Sequence, residues 1–313
     1  MTFRKSWGGV ALIVLFSLAQ GCGFVRDLKS ATRDLKVIER RPDRHLKKKI
    51  TMAVFTDLTP FEKAGFNTTY HKVLTELLQE KCAGNTIFED RTADSPLPIT
   101  KLPRNDSGLV DNLAVAEAGR RMGANVLLIG AVFDVSGKQE RRGIRWFRGS
   151  RSYIQIQLVV EAYEMETGAK ILDESVAGEV RVDEYEVEQL QDVQLVPNPA
   201  LQEKLVALAR RIGKKVCNEV SKLPWRAFVT SVGEEIRISA GHTAGVKPGA
   251  RFDVYDNTRV MESQSGQQFF VPGLPVGRIE IVSVDSSSAS GKLISGESPS
   301  IGNSVRVASK RKK

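Results

Sequence analysis

The chain has 313 residues, of which 41% are hydrophobic and 27% are charged, and its formal net charge is +9 at pH 7. This length is enough for one large or two modest domains, each able to bury a core. The positive balance fits nucleic acid, anionic lipid, lipopolysaccharide or peptidoglycan as an attractor.

The N-terminal segment has the pattern of an export signal. Arg4 and Lys5 precede an uncharged apolar run, residues 8–18, which is shorter than the roughly 20 residues of a membrane-spanning helix. A short positive region followed by a short apolar run indicates a signal peptide, residues 1–21. The mature chain then keeps about 290 residues and a net charge near +7, and its export excludes nucleic acid as a partner.

The residues around the predicted cut resemble a lipobox: Leu18-Ala19-Gln20-Gly21-Cys22. The resemblance implies that Cys22 becomes the N-terminus and carries lipid, including palmitate. Aspartate after the cysteine resembles an inner-membrane retention signal in enteric bacteria. Gly23 stands there instead, which favours the periplasmic face of the outer membrane. The alternative is ordinary secretion, with cleavage near Ala19 and a free Cys22.

Residues 22–49 are predicted to be a basic tether behind the lipid. Positions 23–49 contain ten Lys or Arg against four Asp or Glu, and the tetrad RDLK occurs at 26–29 and at 33–36. We interpret the segment as a solvated linker. The alternative is a short amphipathic helix that lies on a membrane or on a partner.

Residues 50–223 predict a mixed α/β domain. Helical periodicity marks residues 66–82, 110–122 and 201–220. Strand-like runs occur at 50–55, 86–89, 125–135, 152–165 and 169–182. A proline-containing loop is expected at 91–109, a tight turn at 166–168, and a solvated acidic segment at 183–188.

Residues 226–308 predict a small all-β barrel, because several short strands follow one another with glycine and proline turns between them. A basic tail, residues 309–313, ends the chain. We expect two independently folding units, divided near residues 223–226. Two adjacent aromatics, Phe269 and Phe270, are expected to be exposed on the barrel.

Two parts of the chain resemble the flagellar assembly protein T family. The C-terminal domain of that family is matched by AGHTAGVKPG at 240–249, RFDVY at 251–255 and the strand region 275–284. Its middle domain is matched by GANVLLIG at 123–130, the strand at 152–165 and ETGAKIL at 166–172. The middle pattern also resembles curli-secretion CsgG lipoproteins, penicillin-binding-protein activator lipoproteins and the TolB N-terminal domain.

This resemblance covers nearly all of the mature chain and implies its fold. It predicts an anticodon-binding-domain-like α+β domain followed by an SH3-like barrel. The flagellar family also has an additional N-terminal domain, and the lipidated tether stands in its place here.

The titratable residues show no pattern that is typical of an active site or of a cofactor site, so we expect neither enzymatic activity nor a cofactor. The three histidines, His45, His71 and His242, have no metal-ligand spacing, and no nucleophile with a matching base is visible. Cys82 and Cys217 form an even pair in an exported chain, which makes them candidates for a disulfide. The alternative is two buried, unpaired thiols.

A basic and aromatic segment, residues 138–151, joins two of the predicted strands. Arginine and aromatic side chains are enriched in protein contact sites and also suit anionic glycans. The predicted partner-binding residues are Arg141, Arg142, Arg145, Trp146, Phe147 and Arg148. The alternative is a mobile hairpin tip that these charges merely solvate.

These features together predict a non-enzymatic lipoprotein that acts as an assembly or scaffold factor of an envelope machine. The resemblance to the flagellar assembly protein T family implies that this machine is the flagellar basal body. The expected partners are the membrane, that machine, peptidoglycan or anionic envelope glycans, and further copies of the chain in a ring. One alternative is a CsgG-type secretion channel, which the charges of 138–151 and the prolines of 91–109 disfavour. Another is a lipoprotein regulator of a peptidoglycan synthase.

Overall fold

A mixed sheet of five strands forms the first half of the fold. The computed structural model describes residues 45–61, 64–82, 84, 86–90, 102–142, 149–191 and 198–308. The strands are β1 (Lys48–Asp57), β2 (Thr86–Asp90), β3 (Val126–Arg142), β4 (Gly149–Glu164) and β5 (Lys170–Val182). Their order is β2-β1-β3-β4-β5; β1 runs parallel to β2 and β3, and the remaining pairs are antiparallel.

Four helices accompany this sheet: α1 (Phe66–Lys81), α2 (Asn112–Arg121), α3 (Glu184–Gln191) and α4 (Pro199–Lys222). Three of them confirm the helices that periodicity predicted. The Asn198 side chain accepts a hydrogen bond from the Ala200 N–H, and Pro199 begins α4, which fixes the start of that helix. In the described part of the chain, no helix is both long and apolar enough to cross a membrane.

One face of the sheet is covered by α1 and α4. Alternate residues of a strand point to opposite faces, so Ile154, Ile156 and Leu158 of β4 face these helices together. The helices contribute buried stripes: Phe66, Tyr70, Leu74 and Leu78 from α1, and Leu201, Leu205, Ile212 and Val216 from α4. This layer forms the largest apolar core of the molecule.

The remaining helix, α3, was not predicted, and it corrects the expectation of a solvated segment at 183–188. Its N-terminus is capped reciprocally, since the Glu186 N–H donates to the Asp183 carboxylate and the Asp183 N–H donates to the Glu186 carboxylate. Val187 and Leu190 are buried next to Gly137 of β3. The charged side chains of α3 stay at the surface. Val187 and Leu190 lie one turn apart on the same face, and they pack the helix against β3.

The second half of the fold is a closed six-stranded barrel, which confirms the expected all-β architecture. Its strands are β6 (Ala227–Val232), β7 (Ile236–Ile238), β8 (Arg251–Tyr255), β11 (Pro275–Val284), β12 (Ala289–Gly296) and β13 (Ser304–Val307). The barrel closes in the order β11-β12-β7-β6-β13-β8. A separate ribbon that the sequence did not predict, β9 (Val260–Glu262) with β10 (Gln268–Phe270), projects from the chain between β8 and β11.

The described fold includes the last residues of the predicted tether, which ends at residue 49. Lys48 and Lys49 are already part of β1, and Leu46 is 2% exposed within the core of the barrel. The Lys47 N–H donates to the Ala244 carbonyl oxygen at 3.0 Å. The last residues of the predicted tether are therefore folded, whereas residues 1–44 lie outside the described residues.

The structure brings Cys82 and Cys217 together in a disulfide. Cys82 caps the C-terminus of α1, Cys217 lies in α4, and their Cα atoms are 5.5 Å apart. The bond closes a loop with a sequence separation of 135 residues, which includes most of the sheet. Such a cross-link restricts the unfolded chain more than the folded one.

We predict that the double variant Cys82→Ser/Cys217→Ser is less stable than the wild type by up to about 4 kcal/mol, because a long loop is no longer closed in the unfolded state. Denaturant unfolding with and without dithiothreitol measures this difference. The reductant should destabilise the wild type and leave the double variant unchanged. Two free thiols in the denatured, non-reduced mature chain would contradict the bridge.

Candidate functional site

Cys22, Arg145, Trp146, Phe147 and Arg148 lie outside the described residues. Arg141 and Arg142 form the last pairs of the β3–β4 ladder, opposite Ser150 and Gly149. The basic segment at 138–151 thus continues two strands of the sheet, and only its tip, 143–148, remains undescribed.

The junction between the sheet and the barrel is the most strongly charged buried region of the described chain. It is built around the turn 166–168, which joins β4 to β5. Gly168 has a φ of +80°, and a Cβ there would lie 2.3 Å from the Asn112 carbonyl oxygen. Glycine therefore both permits the left-handed turn and lets it pack against the start of α2.

Glu166 of this turn is a buried carboxylate that pairs with two arginines of the second half of the fold. Glu166 is 4% exposed; its Oε2 accepts from the Arg226 Nε at 2.8 Å, and its Oε1 accepts from the Arg306 Nη2 at 2.7 Å. Burial raises the pKa of Glu166, but the two guanidinium groups outweigh that effect, and the pKa falls below the ordinary value. The carboxylate is thus held in its charged form between the two halves.

Arg120 of α2 supports the same turn from the other side. Its Nε donates to the Met165 carbonyl oxygen at 3.0 Å, and its Nη2 donates to the Glu166 carbonyl oxygen. The guanidinium carbon lies 4.0 Å from the ring centroid of Phe270, a cation–π contact with the ribbon. Burial lowers the pKa of Arg120 to about 10, which leaves the side chain charged at neutral pH.

Phe270 corrects an expectation from the sequence. It is 8% exposed and lies against Arg120, and its N–H donates to the Thr167 carbonyl oxygen at 3.0 Å. The ribbon therefore folds back over α2 and covers the turn. Phe269, its neighbour, is partly exposed.

The barrel and the sheet also share apolar core residues. Leu46, before β1, and Trp225, before β6, are both buried in the barrel core, and the Trp225 Nε1 donates to the Lys47 carbonyl oxygen at 3.1 Å. Phe228 of β6 is buried in turn with Leu127 and Tyr163 of the sheet, on the face that α2 covers. Two of the three apolar clusters therefore contain residues of both halves.

Asn125, at the start of β3, adds a polar bridge to this junction. Its Oδ1 accepts from the Lys49 N–H at 2.7 Å, and its Nδ2 donates to the Arg226 carbonyl oxygen at 2.7 Å. The residue is 5% exposed, so both hydrogen bonds are shielded from water. Breaking them would leave buried polar atoms without partners.

A cavity of about 460 Å³ opens beside this junction, between α2, the barrel and the ribbon. Arg120, Arg121 and Glu117 contribute its charged wall. Its remaining lining residues are Val229, Thr230, Asn257, Thr258, Phe270, Ile301 and Gly302. Within the described residues, no group of three His, Cys, Asp or Glu side chains is placed to hold a metal ion.

Sequence reasoning missed the junction, although one signal was available. Arg120 follows Ala116 by four positions and therefore lies on the packing stripe of α2, where a charged side chain needs a buried partner. The partners of Glu166 are 60 and 140 residues away in sequence, and no local pattern indicates such pairs.

No protein-family model matches this chain, and no curated protein matches it. Among solved structures, it is similar to the hypothetical protein CT253 from Chlamydia trachomatis, with 11% identity and a TM-score of 0.34, over 56% of this chain and 100% of that chain.

Two further similar structures are bacterial lipoproteins. Lipoprotein GNA1162 from Neisseria meningitidis shares 12% identity with a TM-score of 0.30, over 55% of this chain and 99% of that chain. The minor lipoprotein from Acinetobacter baumannii shares 12% identity with a TM-score of 0.28, over 56% and 96%. Likenesses at this level carry no argument about what this chain does.

We predict that Glu166→Gln lowers the free energy of unfolding by about 3 kcal/mol, because two partly buried arginines lose their buried counter-charge. Denaturant unfolding measures the change. Glu280→Gln is the matched control: Glu280 pairs with Arg251 at 2.6 Å on the exposed barrel surface, where a pair contributes less than about 1 kcal/mol. Equal effects of the two variants would contradict the account.

The same pair predicts a pH dependence. The pKa of Glu166 is lowered by folding, so its stabilising contribution is complete above the ordinary pKa of glutamate and is lost as the pH falls through the lowered value. The stability difference between wild type and Glu166→Gln should therefore shrink on acidification below about pH 4.5. If the stability difference between the two proteins stays constant down to acidic pH, the stabilising role assigned to the Glu166 carboxylate is wrong.

Proposed function

We propose that this chain is a non-enzymatic lipoprotein that acts as an assembly or scaffold factor of an envelope machine. In this proposal Cys22 carries the lipid anchor on the periplasmic face of the outer membrane. The folded part from residue 45 onward is a rigid adaptor, and the tether sets its distance from the membrane.

The observation that carries the proposal is the buried pairing of Glu166 with Arg226 and Arg306. A scaffold positions its partners only if its own binding surfaces keep a fixed relation. Interfaces between independent domains are modest and permit relative motion by default. Here a carboxylate buried between the halves, together with their shared core, supports a fixed arrangement of the sheet and the barrel.

The flagellar basal body is the machine that we favour, on the resemblance of 123–172 and 240–284 to the flagellar assembly protein T family. The β3–β4 hairpin is the contact element we propose for it. Beyond Ser152, which pairs with Val182, the two strands have only each other as neighbours for three further residue pairs in the described sheet. Arg141 and Arg142 belong to this extension.

We predict that the protein co-purifies with flagellar basal bodies of the source bacterium and that Cys22→Ser releases it from membranes. Replacing Arg141, Arg142, Arg145 and Arg148 together by Gln should reduce co-purification and leave the fold intact, because Arg141 and Arg142 end the β3–β4 ladder, beyond the strand residues that form the core. Quantitative mass spectrometry of isolated basal bodies measures the first effect, and circular dichroism checks the fold. The matched control replaces four exposed cations of α4: Arg210, Arg211, Lys214 and Lys222.

Three outcomes count against the proposal in different ways. Unchanged membrane fractionation of Cys22→Ser removes the anchor. The flagellar assignment fails if a deletion strain has normal motility and the protein is absent from the basal bodies of the wild type. Normal recruitment of the quadruple hairpin variant removes the contact element alone.

A further inference from the structure

The cavity beside α2 is lined by two arginines, Arg120 and Arg121, and by one carboxylate, Glu117. Arg120 is 6% exposed, yet it makes no ion pair with a described residue; it donates to two backbone carbonyl oxygens instead. Its Nη1 donates no hydrogen bond within the described part of the chain. A desolvated cation of this kind favours an anion nearby.

Arg121 adds a second cation at the same wall. It is exposed and makes no ion pair among the residues that the structure describes. Glu117, one turn earlier on α2, is the one carboxylate that lines the cavity, so the wall keeps a net positive charge. A ligand with a single negative charge would balance it.

The floor of the cavity is polar on one side and apolar on the other. Asn257 is 1% exposed, its Oδ1 accepts from the Asn303 Nδ2 at 3.3 Å, and its own Nδ2 has no partner among the described residues. Phe270 and Ile301 form the apolar side, and Ile301 is 66% exposed at the rim. These two residues give a ligand an apolar surface.

We propose that this cavity binds the C-terminal end of a peptide. Its α-carboxylate would lie against the guanidinium groups of Arg120 and Arg121, since planar guanidinium groups match carboxylates in charge and geometry. The side chain of its last residue would pack against Phe270 and Ile301. A volume of about 460 Å³ is within the range of small-ligand pockets and accommodates two or three residues.

The test uses the full-length mature chain in detergent and two probes, N-acetyl-Ala-Leu with a free carboxylate and the same dipeptide as a C-terminal amide. Isothermal titration calorimetry should show the acid bound at least about tenfold more tightly than the amide, because a charge-assisted pair is lost in the amide. Binding of the acid should weaken at high salt.

Substitutions at two rim positions test the assignment without touching the junction. Arg121→Gln should weaken binding of the acid at least about fivefold and leave binding of the amide unchanged. Ile301→Glu should weaken the acid more than Ile301→Gln does, because only the former adds negative charge. Arg211→Gln, an exposed arginine of α4 on the other side of the sheet, is the matched control and should bind as the wild type does.

Three results would overturn the proposal. One is the absence of binding of the acid up to about 10 mM, far above the range of a built site. The second is equal affinity for acid and amide. The third is inorganic phosphate or acetate competing as well as the dipeptide, which would show an anion site without a pocket for the terminal side chain. Because binding is measured on the isolated protein, its failure would leave the proposed scaffold function standing.

Discussion

The carboxylate of Glu166 is the constraint on which the arrangement of this molecule depends. A buried carboxylate costs several kcal/mol unless cations and hydrogen bonds replace its lost water. Arg226 and Arg306 provide that replacement only while the turn 166–168 stays against the barrel. Moving the barrel would separate the Glu166 carboxylate from both arginines and leave its charge without a partner. The ion-pair cluster therefore disfavours other arrangements of the two halves.

The apolar contacts act in the same direction. Leu46 and Trp225 complete the barrel core from chain segments that flank the sheet, and Phe228 of the barrel completes the core under α2. The fold therefore has two halves in topology, and two of its three apolar clusters contain residues of both halves. The proposed role as a lipid-anchored adaptor needs this property, because a load on the β3–β4 hairpin would then reach the barrel.

The sequence predicted the elements that have local signatures. The stripes of α1 and α4, the alternation in β4 and the glycine turns of the barrel follow from periodicity and backbone geometry, and the structure has them. It did not predict α3, because the acidic residues at its start conceal Val187 and Leu190. Phe270 was expected to be exposed because nothing nearby in sequence shows that Arg120 covers it. The junction, the shared core and the cavity consist of contacts between residues far apart in the chain, which periodicity cannot indicate.

Differential scanning calorimetry of the mature chain tests the central claim most directly. If two shared apolar clusters and one ion-pair cluster couple the sheet to the barrel, the two halves unfold in a single transition whose calorimetric and van't Hoff enthalpies agree. Glu166→Gln should shift that transition to lower temperature or begin to split it. Two resolved transitions in the wild type, with the barrel unfolding as it does when isolated as residues 226–308, would contradict the account and support two independent domains.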